Sequence, residues 1–160
     1  MSHTLSQWGL DLLKQSEAFR AEAYLCPAGR PTIGYGHVIK ASERFLRPLT
    51  ETEAEALLRG DCEIAEVYIN ATAAGKGSLN GGYTLSQNQF DALVLLVFNI
   101  GITAFRASTL LRCLQNGDKA GAAAQFLVWN KITVNGKKQI CKGLVNRRQA
   151  EMRMFQGLDL

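Results

Sequence analysis

Residues 21–38 break the helical pattern of the rest of the chain with a dense run of proline, glycine and aromatic residues. Prolines at positions 27 and 31 and glycines at 29, 34 and 36 separate short groups of β-forming residues. Because proline and glycine interrupt helices and favour turns, this spacing is typical of short strands joined by tight turns. The stretch therefore predicts a small β-element of two or three strands near the N-terminus.

Helical patterns lie on both sides of this β-element. Before it, a helical spacing of apolar residues predicts a first helix that ends near Ala18, with Leu10 off its buried face. That face is expected to carry Leu5, Trp8, Leu12 and Leu13. After it, Thr50–Glu53 is a capping box that predicts a long helix to about Ala73.

Caps and turns also divide the C-terminal half of the chain. Ser86–Gln89 is a second capping box, and it precedes the most apolar segment, which we expect at the centre of the larger lobe. Ser108 and Asp118 are suited to cap two further helices. Other signals are a glycine-rich flexible loop at 75–82, a turn at 135–136 and a basic amphipathic helix over 143–155. The predicted fold class is α+β, mostly α, with one small sheet.

The chain is mildly basic, with a net charge of +4 and an isoelectric point near 9.0. This balance suits an anionic partner such as cell-wall polymer, a membrane surface or nucleic acid. A helical nucleic-acid binder is one alternative, since basic residues cluster toward the C-terminus. The cluster comprises Lys137, Lys138, Lys142, Arg147, Arg148 and Arg153. No recognition motif accompanies it and the β-element would have no role, so we expect no nucleic-acid partner.

The four cysteines lack C-x-x-C spacing and neighbouring histidines, so we expect no metal ion and no other cofactor. Free thiols are favoured over two disulfides because the N-terminus carries no apolar secretory signal. The longest apolar run, residues 92–98, is too short to cross a bilayer. These features predict synthesis in the cytoplasm without a signal peptide, and no stable insertion into a membrane.

Glu17 is the first candidate for chemistry. It lies where the first helix gives way to the β-element, beside apolar neighbours such as Phe19. Partial desolvation there would favour the protonated form that a general acid needs, although a lone glutamate at a helix end is most often a solvated surface charge. Cys26, nine residues further on, and Thr32, six beyond that, lie in the predicted strands and can face the same site.

Three blocks of motifs follow one another along almost the whole chain. The first comprises Glu17, Tyr24, position 26, Gly29 and TIGYGH at 32–37. The second comprises QNQFDAL at 87–93, FNIG at 98–101 and FRASTLL at 105–111. The third comprises NGD at 116–118, FLVW at 126–129 and GLVNRR at 143–148. In their residues and in their order along the chain, these blocks resemble the motifs of the phage-type lysozymes, or endolysins.

This resemblance implies a lysozyme-like, two-lobed fold in a single domain that spans residues 1–160. Its parts would be a β-containing N-terminal lobe over about 15–50, a connecting helix over about 51–74 and a helical C-terminal lobe over about 83–160. The helix at 5–16 would pack on the C-terminal lobe.

The resemblance also implies an inverting glycosidase, a muramidase that cleaves the β-1,4 bond between N-acetylmuramic acid and N-acetylglucosamine in bacterial peptidoglycan. The family pattern is glutamate, aspartate and threonine; Glu17 and Thr32 match it, and Cys26 replaces the aspartate. Glu17 would protonate the leaving oxygen while Cys26 and Thr32 activate a water on the opposite face. Thiolate attack with retention is a second possibility for Cys26, and a purely structural role is a third.

The remaining site positions also follow from the resemblance. His37 would support the β-hairpin, with a direct role as catalytic base as its alternative. Arg147, or its neighbour Arg148, matches an arginine that pairs with the catalytic glutamate. Contacts with the sugar are expected from Tyr24, Phe105 and Ser108, the last two of which could equally be core and cap residues.

The partner implied is bacterial peptidoglycan, and the protein is expected to act at the cell wall or periplasm as a monomer. It would reach the wall after a holin permeabilises the membrane, through a secretion system, or as part of a longer chain with its own export segment. The main alternative is a catalytically weak or inactive peptidoglycan-binding protein of the same fold.

Overall fold

A computed structural model describes residues 2–76 and 81–158. Its α-helices are α1 Gln7–Ser16, α2 Glu51–Ala73, α3 Gln87–Ile100, α4 Ile102–Arg106, α5 Thr109–Gln115, α6 Lys119–Gln125 and α7 Lys142–Gln156, with a 3₁₀ turn at Phe126–Val128. Its strands are β1 Arg20–Leu25, β2 Pro31–Gly34, β3 His37–Val38, β4 Lys131–Val134 and β5 Lys137–Ile140. The predicted α+β class is confirmed. Much of the predicted loop at 75–82, namely residues 77–80, lies outside the described residues.

The chain divides into two compact units. The first, Leu10–Ile64, contains the three-stranded sheet and is called the β-containing unit. The second comprises the described residues on either side of that segment and is called the helical unit. Across residues 2–76 and 81–158, no helix has the length and apolarity that a bilayer crossing requires.

The sheet of the β-containing unit has the order β1-β2-β3, with antiparallel neighbours. Tyr24 pairs with Thr32 across β1 and β2, and Ile33 pairs with His37 across β2 and β3. Gly36, in the turn between β2 and β3, has a φ of +86°, a conformation that a residue with a Cβ adopts only under strain. The proline and glycine pattern therefore predicted this β-element correctly.

The buried face of α1 differs from the prediction. Leu10 is 0% exposed and packs in the core with Leu13, whereas Trp8 is 42% exposed. The helix begins only at Gln7, so Leu5 precedes it and does not share its periodicity. The predicted burial of Leu5 and Leu13 is confirmed, whereas the predictions for Trp8 and Leu10 were wrong, because the spacing was counted from a residue outside the helix.

Both capping boxes are confirmed. The Thr50 amide donates to Glu53 Oε2 at 2.9 Å, and the Glu53 amide donates to Thr50 Oγ1 at 3.2 Å. Ser86 and Gln89 make the same reciprocal pair at the start of α3. Residues 90–97 of α3 are all buried, so this helix forms the core of the helical unit, as its apolar sequence predicted.

A second sheet, formed by β4 and β5, was not predicted. The expectation of one small sheet was therefore wrong. The expected turn at Asn135 and Gly136 joins the two strands, with φ values of +49° and +75°. All eight strand residues are exposed, and each strand is only four residues long, which is the shortest run in which a strand pattern can be recognised.

Candidate active site

Glu17 follows α1 directly in the β-containing unit. Its amide continues the helix by donating to Leu13 O at 3.0 Å, and its side chain is half-buried. A Cβ atom at Gly36 would lie 3.8 Å from Glu17 Oε2, so the carboxylate lies beside the turn between β2 and β3. The end of the helix thus places an acid against the glycine-rich part of the sheet.

Cys26 and Thr32 are brought together by a tight turn at the end of β1. The Cys26 amide donates to Arg30 O at 3.0 Å, and the Gly29 amide donates to Cys26 O at 2.7 Å. Thr32 is buried on β2, where its hydroxyl donates to Arg30 O at 2.9 Å and lies beside the Cys26 thiol. The turn therefore brings the side chains of two positions six residues apart next to each other.

This turn makes the Cys26 thiol more acidic than an ordinary cysteine. The backbone amide of Arg30 contributes most to lowering the pKa of Cys26, and it outweighs partial burial, which raises the pKa. The amide of Ala28 donates to the thiolate and lowers the pKa of Cys26 further, and the neighbouring Thr32 side chain shifts the pKa in the same direction. The site therefore stabilises the thiolate relative to that of an ordinary cysteine, and the thiolate is the form in which sulfur can accept a proton from water.

Tyr24 lies next to this pair, opposite Thr32 in the sheet. It is half-buried, and the guanidinium of Arg20 lies over its ring at 4.8 Å from the centroid. A fixed, partly exposed aromatic ring is suited to stack against a sugar. The contact of Tyr24 with substrate remains a prediction.

His37 has a supporting position. Its ring is 4% exposed and is held between two carboxylates: Nδ1 lies 2.9 Å from both oxygens of Asp61, and Nε2 lies 2.9 Å from Glu43 Oε2. Burial alone would lower the pKa of His37, but the hydrogen bonds that its ring donates to Glu43 and Asp61 raise the pKa overall. These contacts favour the structural role over that of a catalytic base. The sequence analysis did not identify either carboxylate, since Asp61 is 24 positions from His37 in the chain and neither acid belongs to a motif.

Phe105 and Ser108 belong to the helical unit. Phe105 is 0% exposed and packs edge-on against Tyr68, while the buried Ser108 hydroxyl accepts a hydrogen bond from the Leu111 amide and so caps α5. These positions favour the roles of core residue and helix cap over direct contact with a sugar.

Arg147 and Arg148 both contact Glu151 within α7. Arg147 Nε donates to Glu151 Oε1 at 3.1 Å, and Arg148 Nη2 donates to the same oxygen at 3.0 Å. Arg148 is fully buried, and its Nη2 also donates to Asn99 Oδ1 at 2.9 Å. Burial lowers the pKa of Arg148 and raises the pKa of Glu151. The sequence analysis missed this buried ion pair because a basic helix is normally expected to expose its charges.

Comparison with known proteins identifies the family of the chain. The family model described as phage lysozyme matches residues 14–151. The endolysin of Acyrthosiphon pisum secondary endosymbiont phage 1 is 43% identical over 152 residues, which cover 95% of this chain and 97% of the relative.

Solved structures of two further proteins are similar over nearly their full length. The muramidase domain of SpmX from Asticaccaulis excentricus has a TM-score of 0.81 and 38% identity, with coverage of 96% of this chain and 97% of that one. The endolysin from Escherichia coli O157:H7 phage FAHEc1 has a TM-score of 0.79 and 37% identity, with coverage of 96% and 93%. With these similarities in both sequence and fold, the chain belongs to the phage lysozyme family.

Proposed function

We propose that the protein cleaves the β-1,4 bond between N-acetylmuramic acid and N-acetylglucosamine, with Glu17 as general acid and with Cys26 and Thr32 activating water. As a phage lysozyme, the chain is a glycosidase that hydrolyses peptidoglycan. The observation that carries the residue assignment is the turn in which the Cys26 amide and the Thr32 hydroxyl both donate to Arg30 O, in the same unit as Glu17.

In the proposed reaction, Glu17 gives its proton to the glycosidic oxygen as the bond from that oxygen to C1 breaks. Positive charge develops on the sugar, and a water attacks C1 from the opposite face. The Cys26 thiolate takes a proton from this water, and Thr32 orients it. The products are a free alcohol on the leaving sugar and a hemiacetal with inverted configuration.

The thiolate is suited to this task because of its surroundings. A free thiol has a reference pKa of about 8.5, compared with about 3.9 for aspartate, so an unperturbed cysteine would be largely protonated at neutral pH. The amides of Arg30 and Ala28 lower the pKa of Cys26 and raise the thiolate fraction. The turn thereby offsets part of the difference between cysteine and the family's aspartate.

The test is hydrolysis of purified peptidoglycan, followed as loss of turbidity and as release of reducing ends. Glu17→Gln is expected to lower the rate by a factor of about 10² to 10⁴, because it removes the acid while keeping the size of the side chain. Glu22→Gln, an exposed position on β1, is the matched control and is expected to keep the wild-type rate. Similar rates for Glu17→Gln and wild type would overturn the assignment of Glu17.

The stereochemical course is tested by NMR of the first products. Appearance of the α-anomer before mutarotation supports water attack with inversion, whereas the β-anomer would indicate thiolate attack on the sugar with retention. A protein that binds the wall but releases no reducing ends would instead be the inactive wall-binding alternative. No observation on the described residues favours that alternative.

We also infer that the protein acts at the cell wall as a monomer, delivered by a holin or by a secretion system. The phage endolysins among its relatives support the first route of delivery. Size-exclusion chromatography with light scattering tests the oligomeric state, and a dimer at working concentration would contradict the monomer.

A further inference from the structure

Cys26 and Arg30 face each other across the turn between β1 and β2. The two strands pair in register up to Leu25 and Pro31, and the next step places Cys26 opposite Arg30. The Cys26 amide donates to Arg30 O at 3.0 Å, as expected for two opposite residues that exchange a hydrogen bond. Opposite residues of antiparallel strands have their side chains on one face, with Cβ atoms about 4.5–5.5 Å apart. The thiol and the guanidinium therefore lie on the same face of the sheet.

The sequence of the turn fixes both residues in this position. Cys26 and Arg30 each precede a proline, which restricts both to extended backbone. Between them, the Gly29 amide donates to Cys26 O at 2.7 Å, and Gly29 has a φ of +73°, which glycine adopts without strain. A three-residue loop that ends on such a glycine is a common connection between antiparallel strands. The opposition of the thiol and the guanidinium thus follows from local sequence.

The face that carries Cys26 also carries Thr32. Side chains alternate along a strand, so Thr32 shares the face of Cys26, whereas Leu25 lies on the other face. Burial agrees with this alternation, because Thr32 is 2% exposed and Leu25 is 71% exposed. Arg30 is exposed, so its guanidinium lies at the edge of the proposed water-activating site, within reach of solvent and salt.

A cation at this position meets a chemical need that is specific to cysteine. At neutral pH an aspartate is already ionised, whereas a thiol with a reference pKa of about 8.5 is mostly protonated. A nearby positive charge favours the ionised form of an acid. The Arg30 side chain lowers the pKa of the Cys26 thiol, in addition to the larger effect of the Arg30 backbone amide. Because arginine stays protonated throughout the working pH range, this effect persists at every pH at which the thiol titrates.

The elements around the turn carry further charged groups. On β1, the guanidinium of Arg20 lies over an aromatic ring, and Glu22 is exposed. On β3, His37 lies between two carboxylates. At the end of α1, the Glu17 carboxylate lies beside the turn between β2 and β3. The strand register places Arg30, and none of these four groups, opposite the thiol.

We propose that Arg30 is a positioning residue whose guanidinium pairs with the Cys26 thiolate and stabilises it for the activation of water. This inference rests on the proposed function, in which Cys26 is the base. Arg30 acts through Cys26 and takes no direct part in breaking the glycosidic bond. The pairing gives a cysteine some of the ionisation at neutral pH that the family's aspartate has without a partner.

The first experiment measures the ionisation of Cys26 without using activity. Alkylation by iodoacetamide is followed from about pH 5 to about pH 10 by mass spectrometry of the peptide that contains Cys26, since the thiolate is the form that reacts. Arg30→Gln is expected to lower the rate at about pH 7 by a factor of about 3 to 10, and to leave the plateau at high pH unchanged. Arg30→Lys should restore most of the rate. Because the pair is exposed, salt at about 1 M should reduce the difference between wild type and Arg30→Gln.

Arg59→Gln is the matched control for this measurement. It removes the same charge from a position on α2 that is 43% exposed and belongs to the same unit, and it is expected to leave the alkylation of Cys26 unchanged. Cys113, in the helical unit, is the internal reference in each sample. Equal rates for Arg30→Gln and wild type at every pH would overturn the proposal. A lower plateau with an unchanged midpoint would also overturn it, because the side chain would then affect only access to the thiol.

The second experiment compares the pH profiles of kcat/KM on purified peptidoglycan. In Arg30→Gln, the limb that rises with pH is expected to move to higher pH, and in Arg30→Lys it should lie close to that of wild type. In a Cys26→Asp background, Arg30→Gln should change the rate at about pH 7 by less than a factor of about two, because an aspartate is ionised there without a counter-ion. An equal rise in KM in both backgrounds, with an unchanged profile, would assign Arg30 to substrate binding and would contradict the proposal.

The two experiments distinguish this proposal from the proposed function. If Arg30→Gln slows alkylation but leaves the pH profile of lysis unchanged, the contact with Cys26 stands. The assignment of Cys26 as the base then fails, and with it the catalytic purpose of the pair. If alkylation is unaffected while Glu17→Gln abolishes lysis, the role of Arg30 fails and the general acid stands.

Discussion

The clearest quantitative prediction concerns the buried His37 and its two carboxylates. The imidazole joins strand β3 to Asp61 on α2 and to Glu43 in the loop between them. Since its pKa is raised in the folded state, the protonated ring contributes stability that is fully present below the unfolded pKa of about 6.5. That contribution is lost as the pH rises through the folded pKa.

Asp61→Asn removes one of the two charge-assisted hydrogen bonds while keeping the shape of the side chain. A hydrogen bond to a charged group contributes about 1.5–3 kcal/mol, and Asp61 is 27% exposed, so the lower part of that range applies. We expect a loss of about 1.5–2 kcal/mol at about pH 5, which corresponds to a decrease in Tm of about 3–8 °C for a chain of this length. At about pH 9.5 the ring is largely neutral, and the loss should fall to about 1 kcal/mol or less.

Urea unfolding of wild type and Asp61→Asn, followed by circular dichroism between these two pH values, measures the difference. Glu63→Gln is the matched control, because it removes the same charge from an exposed position two residues further along α2. The control is expected to change the free energy of unfolding by no more than about 0.5 kcal/mol at either pH. A loss for Asp61→Asn that is equal at both pH values would refute the argument that a protonated His37 stabilises the unit.

Other substitutions test separate contacts. Cys26→Asp is expected to keep lytic activity and to extend the turbidity-based pH profile to more acidic pH, because a base with a lower pKa stays ionised there; an unchanged profile would argue against Cys26 as the base. Arg148→Met removes a buried partner of Glu151 and is expected to cost about 3 kcal/mol in urea unfolding, most of which a second change, Glu151→Leu, should restore. Gly36→Ala forces a Cβ onto a residue with a φ of +86° and is expected to cost about 1–2 kcal/mol. Its lytic rate should fall as well, because relief of this strain moves the turn that lies beside Glu17 Oε2, and a fully active, equally stable variant would contradict both expectations.

The helix starts could be predicted because their signals are local. In both capping boxes a hydroxyl residue and an acid or amide three positions later satisfy each other's amides, and each pair begins a helix as predicted. The Asp118 side chain likewise accepts from the Gly121 amide. Contacts of this kind depend on a few adjacent residues and not on the rest of the fold.

The long-range contacts could not be predicted in this way. His37 and Asp61 are 24 positions apart, and Asn99 and Arg148 are 49 positions apart. No periodicity relates such pairs, because their contact depends on how whole elements pack. Charged side chains usually prefer the surface, so the basic sequence of α7 wrongly indicated that Arg148 would be exposed.

The candidate active site stands between these two cases. Glu17, Cys26 and Thr32 could be proposed from their spacing because the intervening residues form one turn and two adjacent strands, closed by the bond from the Cys26 amide to Arg30 O. The same reasoning applies to the second hairpin. A two-residue Asn-Gly turn fixes the register of a hairpin, which pairs Val134 with Lys137 and therefore Thr133 with Lys138. Had the turn at Asn135 been recognised as a hairpin, the pairing of β4 with β5 would have followed from the sequence alone. The surroundings of that hairpin would not, because Asn99, Ile100 and Leu144 come from helices that the turn does not position.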